Sequence, residues 1–136
     1  MIINVKLGKE LVVMSKNKVG VLSQVASALA DHGINITAIS AQSAGGVGLM
    51  NFVVDDHLRA SDLLRKKKFQ VHDSEIILLE VQDKPGALKR LTKRLAAKKI
   101  DILNVYGSAP ATYGPCTLVL STDHNQHALV TLKQAM

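Results

Sequence analysis

The sequence predicts an α+β fold made of two βαββαβ units in tandem. Three observations lead to this prediction: the 136-residue chain repeats itself, each copy shows the same order of apolar patterns, and the second copy lacks a last strand. Gly20 and Gly86 mark equivalent points, 66 residues apart (86 − 20), and this offset aligns the copies without a gap. Matched pairs include Lys18 with Lys84, Gly48 with Gly114, Val53 with Val119 and Leu63 with Leu129.

Each copy contains the same series of elements. Strand-length apolar runs at Glu10–Ser15 and Glu75–Val81 precede amphipathic helix patterns that begin at Val21 and Ala87. Two β-rich runs and a short helix then follow in each copy. The later strands are predicted at Ile34–Ser40, Leu49–Val54, Ile100–Tyr106 and Cys116–Ser121, and the short helices near Arg59–Lys67 and Gln126–Gln134. This order is typical of a ferredoxin-like unit, an antiparallel sheet with helices on one face.

The fourth strand differs between the copies. Phe69–His72 supplies it for the first unit, and no equivalent run follows Lys133 in the second. The aligned equivalent is Ile2–Lys6, so we predict that this segment completes the sheet of the second unit, within the chain or across a dimer. The predicted units are therefore residues 7–73 and 74–136, with residues 1–6 as the added edge strand.

Composition limits the class of protein. Apolar residues make up 47% and charged residues 21%, which is enough for a core and too apolar for disorder. The single Cys116 cannot form an intramolecular disulfide, which fits a reducing compartment. No apolar run approaches the roughly 18 residues of a membrane span, and Lys6 and Lys9 interrupt the start too early for a secretory signal. We therefore expect a soluble, cytoplasmic protein with no membrane partner.

Several predicted strands are apolar at consecutive positions. Leu11–Met14, Ile76–Leu79 and Leu118–Leu120 do not alternate with polar residues. Helices cover only one face of a ferredoxin-like sheet, so the other face needs a separate cover. We expect a homo-oligomer, most simply a two-fold homodimer.

A turn between strand and helix occurs in both copies. The second copy reads Asp83-Lys84-Pro85-Gly86-Ala87-Leu88, and the first reads Asn17-Lys18-Val19-Gly20-Val21-Leu22. A glycine at a helix start lets a small ligand approach the main chain, and the first-turn N–H groups attract anions. Asn17 and Asp83 are also good helix N-caps, which is the purely structural interpretation.

The turn motif, the following helix and the phrase Gly33-Ile34-Asn35-Ile36 together resemble the ACT domain, and two such units resemble the small stand-alone tandem ACT proteins. The resemblance implies a non-catalytic regulatory protein without a cofactor. It implies a small ligand, usually an amino acid, at the strand-to-helix turn, often at an interface between two ACT units. It also implies a regulated partner, such as a metabolic enzyme.

The resemblance selects the candidate ligand-binding residues. Backbone N–H groups at the turns can bind a carboxylate, and the side chain that begins each turn can bind an ammonium group. Asn35 and Asp101, which open the next strand, fall at a position from which a neighbouring ACT unit often contributes to the site. These candidates are Asn17, Gly20, Val21, Leu22, Asn35, Asp83, Gly86, Ala87, Leu88 and Asp101. The two copies differ at this position, which is Asn17 in the first and Asp83 in the second. Because the first copy has no fixed negative charge there, we expect it to be the more favourable site for a carboxylate.

Basic residues leave a second hypothesis open. The net charge is +6, and the clusters Arg65–Lys68 and Lys89–Lys99 could contact nucleic acid. A ferredoxin-like sheet that reads RNA stacks bases on aromatic side chains, and this chain has two Phe and two Tyr. Nucleic-acid or direct protein binding by a basic module is therefore the weaker alternative, and solvated helix faces explain the clusters.

Other candidate sites have simpler explanations. His124 and His127 have a spacing that allows a shared metal, but no third ligand is evident, so surface histidines are favoured. Cys116 begins an apolar strand and is expected to be a buried small hydrophobe. Gly45–Gly48 lacks the lysine and serine or threonine of a phosphate loop and is interpreted as a hairpin connection. No catalytic arrangement stands out, so we do not predict an enzyme.

Overall fold

The structure is a computed structural model that describes residues 2–16, 18–108 and 114–136. Within these residues the strands are β1 (Ile2–Lys16), β2 (Ile36–Ala44), β3 (Val47–Val54), β4 (Gln70–Gln82), β5 (Ile102–Ser108) and β6 (Pro115–Thr122). The helices are α1 (Val21–Asp31), α2 (His57–Lys66), α3 (Ala87–Ala97) and α4 (Asn125–Lys133). None of these helices has both the length and the apolar character needed to cross a membrane.

The chain divides into two compact units. The first unit is Lys9–Ser74, and the second combines Met1–Gly8 with Glu75–Met136. In the first unit the strand order is β2-β3-β1-β4, and in the second it is β1-β4-β6-β5. Both orders are those of a ferredoxin-like sheet, and the predicted α+β fold of two βαββαβ units is confirmed.

The start of β1 belongs to the second unit. It lies beside β4, within the same chain, and Ile2 and Val5 are part of the second unit's apolar core. The sequence predicts separate strands at Ile2–Lys6 and Glu10–Ser15, whereas β1 runs through both without a break. Phe69–His72 and Glu75–Val81 likewise fall largely on the single strand β4.

Gly8 explains why β1 continues between the two predicted strands. A Cβ built on Gly8 would lie 3.0 Å from Leu78 Cδ1 and 3.2 Å from Ile76 Cδ1. The glycine therefore allows the close approach of two apolar side chains at the point where β1 passes from one unit to the other. In the sequence a single glycine next to Lys9 resembles the start of a loop, whereas in the structure Gly8 is part of the strand.

Each unit has its own aliphatic core between the helices and one face of the sheet. The first core contains the fully buried residues Leu11, Val13, Val25, Leu29, Phe52 and Leu64. The second contains their counterparts Ile77, Leu79, Leu91, Leu95, Leu120 and Leu132, which are at most 2% exposed. Each such side chain stabilises the fold by roughly 1.5–3 kcal/mol through removal of apolar surface from water. The repeat therefore extends to the packing of the core.

The strand pairing corrects the gap-free alignment of the copies. Leu11 pairs with Phe52 in the first unit, and Ile77 pairs with Leu120 in the second. The offset is 66 (77 − 11) before the hairpin and 68 (120 − 52) after it. The matches of Gly48 with Gly114, Val53 with Val119 and Leu63 with Leu129 are therefore wrong, because the second hairpin is two residues longer. The true counterparts are Cys116, Ser121 and Thr131.

The strand residues that do not alternate have different surroundings. Ile76 is fully buried within the chain, so it needs no second chain to cover it. Met14 on β1 and Ile39 on β2 are 43% and 45% exposed. Covering of these residues by a second copy stays a prediction.

Candidate functional site

Both strand-to-helix turns have the same backbone geometry. Gly20 precedes α1 with φ 93° and ψ −2°, and Gly86 precedes α3 with φ 91° and ψ −4°. This left-handed conformation favours glycine, since a Cβ would crowd the backbone. The glycines therefore serve as the N-caps of their helices, and neither cap is stabilised by a side-chain hydrogen bond. Asp83 is consequently not the N-cap of α3, which corrects the capping interpretation for this copy, and Asn17 lies outside the described residues.

Hydrogen bonds around the turns reduce the set of free donors. The Val21 N–H donates to Lys18 O at 3.4 Å, and the Ala87 N–H donates to Lys84 O at 3.3 Å. Both bonds are long and therefore weak, so the two predicted donors are only partly engaged. The N–H groups of Leu22 and Leu88 lie in the first helical turn, where no intrahelical acceptor exists. These groups are available to an anion at each turn.

A cleft of about 610 Å³ opens at the turn of the first unit, and we name it the first-turn cleft. The end of β1, the turn, one face of α1 and the β2–β3 hairpin form its walls. The predicted residues Gly20, Val21 and Leu22 line it. Further lining residues include Ser15, Lys16, Lys18, Gln42, Gly48 and Met50. The volume is in the range of pockets that hold small-molecule ligands.

A smaller cleft of about 310 Å³, the second-turn cleft, lies at the turn of the second unit. The predicted residues Asp83, Ala87 and Leu88 line it. Its walls also include Val81, Gln82, Lys84, Gly107, Cys116 and Leu118. Asp83 and Lys84 additionally face a cavity of about 470 Å³ that is bordered by Ile3 and Pro115.

The two clefts are built from equivalent positions. On β1, the turn and α1, the counterparts at offset 66 are Ser15 and Val81, Lys16 and Gln82, Lys18 and Lys84, Val21 and Ala87, and Leu22 and Leu88. On β3 and β6, the counterparts at offset 68 are Gly48 and Cys116, and Met50 and Leu118. The duplication therefore produced two copies of one cleft, and their differences are substitutions at matched places.

The largest difference is one cross-strand pair. Ser15 is opposite Gly48 in the first unit, and Val81 is opposite Cys116 in the second. Two larger side chains thus replace a serine and a glycine in the wall of the smaller, second-turn cleft. The Ser15 hydroxyl is buried and finds no hydrogen-bond partner in the part of the chain that the structure describes. A buried hydroxyl without a partner is costly, and a bound polar ligand or water would supply one.

Charge also distinguishes the clefts. Lys16 and Lys18 give the first-turn cleft two positive charges, and no acidic residue is among its lining residues in the described chain. The second-turn cleft has Gln82 in place of Lys16, and Asp83 opposes the charge of Lys84. A ligand carboxylate is therefore favoured in the first-turn cleft, as the comparison of Asn17 with Asp83 also suggests from the sequence.

Asn35 and Asp101 lie apart from the clefts of their own units. The Asn35 N–H donates to Asp55 Oδ1 at 2.9 Å, and the Asp101 N–H donates to Asp123 Oδ1 at 2.9 Å. Neither residue is among the described residues that line the clefts, and both side chains are exposed. Their contribution to the site of a neighbouring unit stays a prediction.

The histidine pair near the chain end has a structural role. His124 is the N-cap of α4, and its Nδ1 accepts a hydrogen bond from the His127 N–H at 3.1 Å. The two rings meet edge to face with centroids 5.6 Å apart. Among the described residues, no group of three or more His, Cys, Asp or Glu side chains could hold a metal ion.

An ion-pair cluster in the first unit engages part of the basic sequence. Asp73 contacts His57 Nε2 at 2.9 Å and Arg65 Nη2 at 2.8 Å. Partial burial raises the pKa of Asp73, but hydrogen bonds from Ser61 and His57 and the charge of Arg65 outweigh this effect and hold the pKa below its usual 3.8. Arg65 of the basic cluster therefore forms an ion pair with Asp73 and is not simply exposed to solvent.

Sequence reasoning missed the walls that come from the strands. Ser15, Lys16 and Gln42 line the first-turn cleft, but the sequence motif comprises only the turn and the start of the next strand. The signal was present in the repeat, because an alignment with a two-residue gap pairs Gly48 with Cys116. Part of the longer hairpin falls in residues 109–113, which are not among those that the structure describes.

The fold and the clefts define a duplicated α+β module with a ligand-sized opening at a strand-to-helix turn. The model of the ACT domain matches residues 9–69, which identifies this part of the chain as an ACT domain. The match covers most of the first unit and all the described residues that line the first-turn cleft. No curated protein matches the chain. The division of the chain into two functional ACT units, residues 7–73 and residues 74–136 with residues 1–6 as the added edge strand, stays a proposal.

Solved structures share the fold of the whole chain. A protein from Bacteroides thetaiotaomicron is 24% identical with a TM-score of 0.90, covering 96% of this chain and 90% of that one. The regulatory subunit of aspartate kinase from Thermus thermophilus, in a ligand-free form, is 16% identical with a TM-score of 0.68, covering 99% and 98%. The corresponding subunit from Thermus flavus is also 16% identical, with a TM-score of 0.66, covering 98% and 97%. These similarities show that the chain shares their fold.

Proposed function

We propose that this protein is a non-catalytic regulatory protein that binds an amino acid in the first-turn cleft. The main observation is that two equivalent clefts have diverged, and the first has kept an open volume of about 610 Å³ with two lysines at its wall. The match to the ACT domain and the fold shared with regulatory subunits of aspartate kinase support a regulatory role.

The chemistry of the cleft suits both ends of an amino acid. The Leu22 N–H, at the positive end of α1, and the charges of Lys16 and Lys18 attract a carboxylate. The Ser15 hydroxyl and the amide oxygen of Gln42 are acceptors for an ammonium group. Apolar wall residues such as Met50 would contact the ligand side chain.

Regulation requires that ligand occupancy changes an interface. Val19 and Leu22 are apolar, lie at the turn and are 107% and 42% exposed. A second copy that packs on this surface in a homodimer would cover both residues and enclose the ligand. A ligand that contacts two units favours the arrangement in which both contacts form, and this preference is the coupling free energy. The output would pass to a partner such as a metabolic enzyme in the cytoplasm.

A thermal-unfolding screen of the full chain against the twenty amino acids tests the proposal. A ligand that binds only the folded state stabilises it by about 2.7 kcal/mol at 100 times its Kd. We expect at least one amino acid to raise the Tm with this concentration dependence. Lys16→Gln, which introduces the residue of the second copy, should weaken binding, and the matched control is Lys9→Gln, an exposed position on the same strand.

The opposite result would favour the alternative. If no amino acid raises the Tm and the chain instead binds RNA or DNA tightly at low salt, with an affinity that falls steeply as salt increases, the protein is a basic nucleic-acid-binding module.

A further inference from the structure

The second unit contains a further cavity, which borders the second-turn cleft and shares Val81 and Ala87 with it. It has a volume of about 280 Å³, and we name it the α3 cavity. Its apolar lining consists of Ile2, Val81, Ala87, Leu91 and Ala135. Three cationic residues of α3, Arg90, Lys93 and Arg94, complete the wall. An apolar interior and an entirely basic set of charged residues thus share one small space.

The three cations have no ion-pair partner among the described residues. None of them forms a salt bridge with any residue in ranges 2–16, 18–108 and 114–136. Lys93 and Arg94 follow Arg90 by three and four positions, so all three charges lie on neighbouring positions of one helix face. Like charges at these spacings destabilise a helix. The arrangement therefore costs stability unless an anion neutralises it.

Arg90 adds a second unfavourable interaction. Its Nη1 lies 3.1 Å from the position of a Cβ built on Gly86, the N-cap of α3. The guanidinium is therefore held at the N-terminus of α3, where the helix dipole is positive and disfavours a cation. No acidic residue occupies the first turn of this helix to offset the charge. The positive potential of the helix end and of three side chains converges at the rim of the cavity.

We propose that the α3 cavity binds a small amphiphilic anion, a carboxylate or phosphate that carries a short apolar group. The anionic group contacts Arg90, Lys93 and Arg94, and the apolar group lies against Ile2 and Leu91. The volume of about 280 Å³ is enough for an anion with a short apolar group. This site does not depend on the amino-acid site proposed above, since its basic residues are absent from both turn clefts.

Calorimetric titration of the full chain with hexanoate tests the proposal. Hexanoate has the anion and an apolar group of suitable size, hexanol lacks the anion, and acetate lacks most of the apolar group. We expect saturable binding of hexanoate and at least about tenfold weaker binding of the other two, equivalent to ~1.4 kcal/mol. Equal binding of hexanol would overturn the role of the cations, and equal binding of acetate would overturn the role of the cavity.

Variants locate the binding. Lys93→Gln and Arg94→Gln should each weaken hexanoate binding about two- to fivefold, as expected for exposed charge pairs. Lys89→Gln removes the same charge from the same helix outside the cavity and should leave binding unchanged. Ala135→Leu, which fills the cavity, should abolish binding. Equal effects of all three charge variants would indicate nonspecific attraction and contradict the proposal.

A lipid could supply the same chemistry as a free acid. Sedimentation with phosphatidylglycerol vesicles distinguishes these sources, with phosphatidylcholine vesicles as the neutral control. Vesicle binding that hexanoate displaces would support the site with a lipid as its anion, and absence of vesicle binding would support a free small acid. Vesicle binding that hexanoate does not displace, combined with no hexanoate binding in solution, would overturn the proposal.

Discussion

Ser15 and Gly48 face each other across the antiparallel pair of β1 and β3, and a Cβ built on Gly48 would lie 3.3 Å from Ser15 Oγ. In the second unit the same cross-strand positions hold Val81 and Cys116. The first pair leaves a cleft of about 610 Å³ beside the turn, and the second leaves about 310 Å³. This pair of small residues is therefore one of the differences between the two copies of the site, beside the difference in charge.

Replacing Ser15 should separate stability from ligand binding. Its buried hydroxyl has no partner among the described residues, and such a group costs about 1–3 kcal/mol. We predict that Ser15→Val, the residue of the second copy, raises the free energy of unfolding by about 1 kcal/mol in urea titration and lowers affinity for the amino acid. Thr117→Val, at an exposed strand position outside both clefts, is the control and should change stability by less than ~0.5 kcal/mol and leave affinity unchanged. A less stable Ser15→Val protein would contradict this account of the cleft.

The turn glycines should be required for their backbone conformation. Gly20→Ala and Gly86→Ala place a Cβ in the left-handed region, so we predict a loss of about 1–2 kcal/mol for each. Nothing lies within 4 Å of a Cβ at Gly20, so the cost there comes from the backbone and not from a clash. Urea unfolding measures the change. The control is Gly20→Asn, because asparagine tolerates the left-handed region better than alanine. An equal loss for Gly20→Asn and Gly20→Ala would exclude the conformational explanation.

Asp73 should contribute pH-dependent stability. Its pKa is lower in the folded state than the usual 3.8, so its contribution is complete above pH 3.8 and is lost as pH falls through the folded value. Asp73→Asn should therefore destabilise the protein at pH 7 and progressively less below pH 3.8. The side chain is 41% exposed and screened by water, so we expect only about 0.5 kcal/mol.

Urea unfolding between pH 2.5 and pH 7 measures the Asp73 effect. Asp62→Asn removes an exposed carboxylate from α2 that forms no ion pair with any described residue, and it is the matched control. A difference between wild type and Asp73→Asn that stays constant over this pH range would rule out ionisation as the cause.

Much of the fold was predictable because the same pattern of apolar positions occurs in both copies of the repeat. The stripes of α1 and α3 recur at one offset, and their buried residues, such as Leu29 and Leu95, occupy equivalent places in the two cores. The continuity of β1 was not predictable, because Gly8, followed by Lys9 and Glu10, is typical of a loop. Its role depends on contacts with Ile76 and Leu78, which are distant in sequence.

The candidate site was predicted only in part for a similar reason. The turn residues follow from a local motif, and Gly20 and Gly86 have the conformation that the motif requires. The opposite wall comes from β3, whose register depends on the length of a hairpin. A gap-free alignment hid the exchange of Gly48 for Cys116, and only strand pairing reveals it.

Exchange of that pair of residues tests the central claim most directly. Isothermal titration of the wild-type chain with the amino acid identified in the screen should give one site per chain. We predict that Gly48→Cys weakens this binding about tenfold or more, equivalent to ~1.4 kcal/mol, whereas Cys116→Gly leaves it unchanged. Undiminished binding by Gly48→Cys together with a loss in Cys116→Gly would place the ligand in the second-turn cleft and contradict the account.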